Sequence, residues 1–219
     1  MRRILAVLLL VAFAAGCGSG SEGAKPATDV ETAAASPQTP AGFTVRRVRA
    51  QRFAIAVPKA WPSIDASTAL SGAAVKQFAQ ENPAAAGAVE ALSRPNSPMK
   101  LVAVDPSATG FATNVNVLVS PIPAGTPFST WTKAEAAQVQ ALHPTHVSQG
   151  PVQLEPGKGY RLAYRAKLMI RGRPRELAIH QYMVKRDGRL YVITYTTSAE
   201  DEARWAQTFN RSAHTFELN

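Results

Sequence analysis

The chain has 219 residues, 46% of them apolar, and a formal net charge of +9. That length and apolar share allow one sizeable core and exclude a wholly disordered chain. A single cysteine, Cys17, excludes an intrachain disulfide, and the basic excess favours anionic partners.

Met1 to Gly16 reads as a targeting segment. Arg2 and Arg3 make a positive start, Ile4 to Phe13 an apolar run, and Ala14, Ala15 and Gly16 a small-residue junction before Cys17. The run is too short to span a bilayer as a mature helix. Ala14-Ala15-Gly16-Cys17 resembles the lipobox of bacterial lipoproteins, with Ala14 where Leu is usual. The resemblance implies cleavage before Cys17 and lipidation of its sulfur. Acyl chains then hold the protein at the extracytoplasmic face of the cell membrane without a spanning helix. Residues 17–42 follow as a tether rich in Ala, Ser, Thr, Gly and Pro, without an aromatic residue. Such a segment buries too little surface to fold, and spans about 25–30 Å as a coil.

The expected folded domain is 43–219. Phe53 to Val57 alternates like a strand and stops at Pro58, with Trp61-Pro62 in a turn. A helix is expected over 69–79, with Val75, Phe78 and Ala79 as its apolar stripe. Asn82-Pro83 has the chemistry to open a second helix, Asn as cap and Pro at the first position. Val89 and Leu92 are its expected buried residues, and Arg94-Pro95 its end. Met99 to Val104 is a short apolar strand. Asn114 to Val119 alternates with Val115, Val117 and Val119 inward. Residues 129–142 read as a helix, with Thr132 and Glu135 at capping-box spacing, and Val147 to Leu154 as a strand or a pair of short strands.

The centre of the domain is Gly159 to Tyr195, three antiparallel strands in sequence. Tyr160, Leu162, Tyr164, Ala166, Leu168 and Ile170 fall on one face, and Arg161, Ala163, Arg165, Lys167 and Met169 on the other. Arg171 to Pro174 is expected to break the pattern, because Pro174 has no N–H for a ladder. Leu177 to Val184 makes the second strand. Asp187-Gly188 marks a type I′ hairpin turn, and Leu190 to Thr197 the third strand. Ser198 then caps a helix to about Arg211, with Glu200, Asp201 and Glu202 near the positive end of its dipole. Trp205 and Phe209, four apart, share its buried face, and Thr215-Phe216 closes the chain as an edge strand or docked tail. This order predicts an α+β fold, helices covering an antiparallel sheet.

Three stretches together carry a resemblance: FAIAVPKAW at 53–61, NVNVLV at 114–119, and the run from Gly159 to Leu218 containing GRLYVITYTTSAEDEARW. They resemble the PsbP-like superfamily. It includes the extrinsic PsbP subunit of photosystem II, a Ran-binding nuclear import factor and the LpqN-type actinobacterial lipoproteins. The resemblance covers about 50–219. It implies an α/β/α sandwich around a central antiparallel sheet, and a binding or assembly role without a conserved reaction centre.

The residues point the same way. No Gly-x-Ser-x-Gly elbow or phosphate-binding loop is present outside the tether. His143 and His146 flank Pro144 without the further ligands that zinc needs. His180 lies mid-strand among apolar neighbours. No cofactor or metal is therefore expected. Trp61, Tyr160, Tyr164, Tyr182, Tyr191, Tyr195 and Trp205 read as core, with a ligand groove against the sheet as the alternative. The expected contact is the basic meander, ten Lys/Arg against two Asp/Glu over 158–189. Its named residues are Arg161, Arg165, Lys167, Arg171, Arg173 and Arg175. The expected protein is a monomeric, non-enzymatic lipoprotein that binds an envelope protein or an anionic envelope component. The alternative is a small-molecule or lipid carrier with a pocket against the sheet. Nucleic acid is not an expected partner, since the signal directs the domain out of the cytoplasm.

Overall fold

Two antiparallel sheets face each other across most of the apolar side chains. The computed structural model describes residues 39–66, 72–82, 86–107, 111–170 and 172–219. Cys17, the targeting segment, nearly all of the tether and Arg171 lie outside them. The small sheet contains β1 (Phe43–Val48), β2 (Phe53–Pro58) and β10 (Glu217–Leu218), with β2 in the middle. The large sheet contains β3 (Ser63–Asp65), β4 (Met99–Val104), β5 (Asn114–Pro121), β6 (Thr145–Leu154), β7 (Gly157–Ile170), β8 (Arg173–Arg186) and β9 (Arg189–Ser198). Its order is β3-β4-β5-β9-β8-β7-β6, antiparallel throughout. The helices are α1 (Gly72–Glu81), α2 (Ala86–Ser93), α3 (Phe128–Gln140) and α4 (Glu202–Ala213).

The meander forms as its alternation requires. Leu162, Tyr164 and Ala166 are buried on one face, with Tyr160, Leu168 and Ile170 packed alongside. The β8–β9 turn has φ 48° at Asp187 and 68° at Gly188, the left-handed pair a type I′ turn needs. Gly159 is tightly constrained, because a Cβ there would stand 2.8 Å from the Met183 carbonyl oxygen.

Parity within each strand divides the core into layers. Leu101 and Ala103 of β4 join Val115, Val117, Ile193 and Tyr195 beneath the small sheet and α4. Val102 and Val104 face the other way, onto α1 and α2. The opposite side of β7 and β8 packs on α3 through Val139, and Met183 and Leu190 meet Phe128 and Trp131. The helices therefore sandwich the large sheet.

Aromatic packing and hydrogen bonds fix α4. Phe209 stacks on Tyr195 at 5.0 Å and on Trp205 at 6.4 Å, and Trp205 meets Trp61 edge-on at 5.2 Å. Such pairs are worth about 0.5–1.5 kcal/mol each beyond their burial. Ser198 accepts from the Asp201 amide at 3.2 Å and caps the 3-10 turn that leads into the helix. At the far end the Tyr195 hydroxyl donates to Ser212 Oγ, which donates to the Ala56 carbonyl. Thr215 Oγ1 accepts from the Ala56 amide. These bonds pin the helix C-terminus to β2 without leaving those buried hydroxyls unpaired.

Several expectations change. β1 and β3 are strands that the pattern did not announce. Asn82 closes α1, donating through Nδ2 to the Phe78 carbonyl at 3.0 Å. Thr132 and Glu135 lie within α3, whose N-cap is Pro127; both side chains are buried, so their spacing is not a capping box. Pro174 does not break the sheet, because β8 begins at Arg173 and Pro174 pairs with Met169. β9 ends opposite Leu177, so one side of the ladder beside Pro174 is open and its missing N–H costs little.

Candidate functional site

The register of the meander makes a projecting arm. β6 reaches along β7 only to Arg165, and β9 reaches along β8 only to Leu177. Lys167–Ile170 and Arg173–Glu176 pair with each other alone, a two-stranded extension of about 13 Å. One face of it is supported, since Leu168 and Ile170 pack against the core cluster that holds Val139, Leu162 and Tyr164. Lys167, Arg173 and Arg175 are exposed on it. Met169, 56% exposed, sits among them.

The arm does not present one basic face. Directly paired residues share a side of the sheet. Arg173 stands opposite Ile170 and Arg175 opposite Leu168, so both share the α3 side. Arg161, Arg165 and Lys167 take the other side. Lys167 stands opposite Glu176.

Arg161 and Arg165 belong to a half-buried cluster at the start of α4. Arg165 Nε donates to Glu202 Oε2 at 2.6 Å, and His180 Nε2 lies 2.9 Å from Glu202 Oε1. His180 also packs edge-on against Phe209 at 5.6 Å. Burial holds the His180 imidazole below its usual range, with the Glu202 hydrogen bond opposing and the Arg161 charge assisting. Burial pushes the Glu202 carboxyl up, but the hydrogen bonds from His180 and Arg165 outweigh it and hold the group below the ordinary range. Burial raises the Tyr182 hydroxyl, and the neighbouring Arg161 partly offsets this. Arg165 and His180 both pair with Glu202 inside the fold, and Arg161 stands beside Tyr182 and His180.

By sequence, no protein-family model and no curated protein matches the chain. By structure, it is similar to cyanobacterial PsbP from Synechocystis, with a TM-score of 0.53 at 13% identity. The match covers 86% of this chain and 99% of that one. The fold is PsbP-like. Two further similar structures are the Saccharomyces cerevisiae Ran-binding protein Mog1p and Mycobacterium tuberculosis LpqN, described as involved in cell envelope biogenesis. For Mog1p the TM-score is 0.47 at 12% identity, covering 80% of this chain and 95% of that one. For LpqN it is 0.47 at 9% identity, covering 83% and 87%. At 13% identity the likeness to cyanobacterial PsbP establishes architecture.

Within this PsbP-like fold a second polar cluster lies under α3. Glu135 Oε1 accepts from Gln181 Nε2 at 3.1 Å. Burial pushes the Glu135 carboxyl up, opposed by that bond. The Tyr164 hydroxyl is raised by burial and then by the nearby Glu135 charge. Trp61, Tyr164, Tyr182, Tyr191 and Tyr195 are buried, and Tyr160 and Trp205 half-buried, all as packing residues. His143 and His146 take left-handed backbone, φ 50° and 53°, His146 inside the irregular pairing at the start of β6.

Sequence reasoning missed the role of Glu202, which reads as an ordinary helix-start charge. It lies 37 residues from Arg165, so no local pattern joins them. The division of the arginines was better hidden than absent. A two-residue β7–β8 connection places Arg173 beside Ile170, whereas a four-residue turn leaves the two strands' parities unrelated.

Proposed function

We propose that the protein is a membrane-tethered, extracytoplasmic binding module whose arm contacts an acidic surface on an envelope protein. The observation that carries this reading is the arm. It projects beyond both neighbouring strands and combines Lys167, Arg173 and Arg175 with an exposed Met169. Met is adaptable in contact, and rim charges steer and orient a partner of opposite sign. The supported face limits the ordering cost of binding.

The reading is non-catalytic. His180 is held by Glu202, and Glu202 by Arg165, which supports a structural role for these titratable groups. The tether follows from the lipobox resemblance at Cys17. Intact mass of membrane-extracted protein should show a diacylglyceryl-bearing Cys17, and an unmodified thiol would remove the anchor from the account. The lipid-carrier alternative needs a cavity of about 300–1,000 Å³; the arm favours the protein partner.

A photoreactive residue in place of Met169 tests the contact in intact cells. The expected result is one discrete adduct with an envelope protein, absent when the probe replaces exposed Glu90 on α2. The same adducts from both positions, or none from the arm, would overturn it.

A further inference from the structure

A different group of arginines lies at the other end of β8. Arg52 at the β1–β2 turn, Arg186, Asp187, Arg189, Tyr191 and Asn219 line a cleft of about 110 Å³. It opens at the mouth between the two sheets. Arg186 and Arg189 stand directly opposite each other across the Asp187-Gly188 turn. Like charges so paired weaken a hairpin, so the placement disfavours the fold locally. Arg189 Nη1 is buried with no hydrogen-bond partner among the described residues. A buried guanidinium donor left unpaired costs free energy that an acceptor from outside would recover. Lys100 lies in the same field. Burial first, and then the Arg189 charge, hold its ammonium below the lysine range. Arg52 is fixed at the rim, its Nε donating to the Asn219 main-chain oxygen at 2.8 Å.

We propose that this cleft binds a phosphoryl group, with Arg189 and Arg186 as its ligands and Arg52 as the opposing wall. Three guanidiniums against the side-chain carboxylate of Asp187 and the main-chain carboxylate of Asn219 leave one net positive charge. Their planar forks suit an anion with several acceptor oxygens. The cleft has room for a phosphoryl head, and is far smaller than the ~300 Å³ at which drug-sized pockets begin. The bearer is either a lipid headgroup or a soluble phosphate.

Calorimetric titration of the full chain in a non-ionic detergent tests this, with inorganic pyrophosphate and with glycerophosphoglycerol, a deacylated lipid headgroup. Saturable binding of at least one probe is expected, and the tighter of the two identifies the source. Arg186→Gln with Arg189→Gln should weaken it by tenfold or more, since about 1.4 kcal/mol is a factor of ten and a charge-assisted bond is worth about 1.5–3 kcal/mol. Asp187→Asn keeps the turn chemistry and removes one of the two opposing carboxylates, so binding should tighten severalfold. It keeps the proposal testable should the double variant fail to fold. No saturable binding of either probe, or unchanged affinity in a folded double variant or in Asp187→Asn, would overturn the proposal.

Discussion

β8 and β6 belong to one sheet yet meet opposite surroundings. From Leu177 to Val184 every β8 residue is buried, covered by α4 and the small sheet on one side and α3 on the other. In β6 Leu154 alone is buried. Strand chemistry does not account for the difference, since β6 also carries Val147, Val152 and Leu154. Cover does. α4 packs on β2, β9 and β8. Arg161 and Arg165 sit where that cover ends, and Glu202 holds the boundary. The covered half sets stability, while the uncovered half and its arm leave strand surface exposed.

Breaking the covered half should have the largest effect. Phe209 is fully buried and touches Tyr195, Trp205 and His180. Phe209→Ala should cost about 3–5 kcal/mol and lower the melting temperature by about 10 °C or more. Met169→Ala on the arm should change stability by less than about 0.5 kcal/mol. Equal losses in thermal melts would erase the distinction between the halves.

Next in size is the seam between them. Gly159→Ala brings a Cβ against the Met183 carbonyl, backbone that cannot rotate away. Overpacking of this kind costs about 1–3 kcal/mol, read from chemical denaturation midpoints. A neutral result would mean that β7 and β8 separate there at no cost.

The boundary cluster should give a smaller, pH-dependent effect. The folded pKa of His180 is depressed from 6.5 and that of Glu202 from 4.5. In both cases the unfolded chain binds more protons within the shifted window, so stability rises with pH. The His180 contribution is complete above pH 6.5 and is lost as pH falls toward its lower folded value. The Glu202 contribution is complete above pH 4.5 and is lost as pH falls through its own. His180→Gln should flatten the stability profile just below pH 6.5 and shrink the Glu202 limb below pH 4.5 to the part that Arg165 supports. An unchanged slope would place the acid sensitivity elsewhere.

Most of the architecture was legible because its signals are local. The period of two in 160–170, the Asp-Gly turn, the Ser198 cap and the Trp205–Phe209 spacing each lie within a few residues. β1 and β3 were not legible, one because it carries Arg46 and Arg47 and the other because three residues hold no period. Thr132 and Glu135 had capping spacing by coincidence, and burial decided otherwise. The six named basic residues were visible as types but not as a surface. Which of them share a face depends on register, and which are neutralised depends on Glu202 arriving from a distant helix.

The arm's role is tested most directly by Lys167→Glu, Arg173→Glu and Arg175→Glu combined, read by crosslinked capture in intact cells beside a thermal melt. The account requires partner capture to vanish with the melting temperature unchanged to within a few degrees, since the three residues are exposed. Undiminished capture from a normally folded triple variant would contradict it.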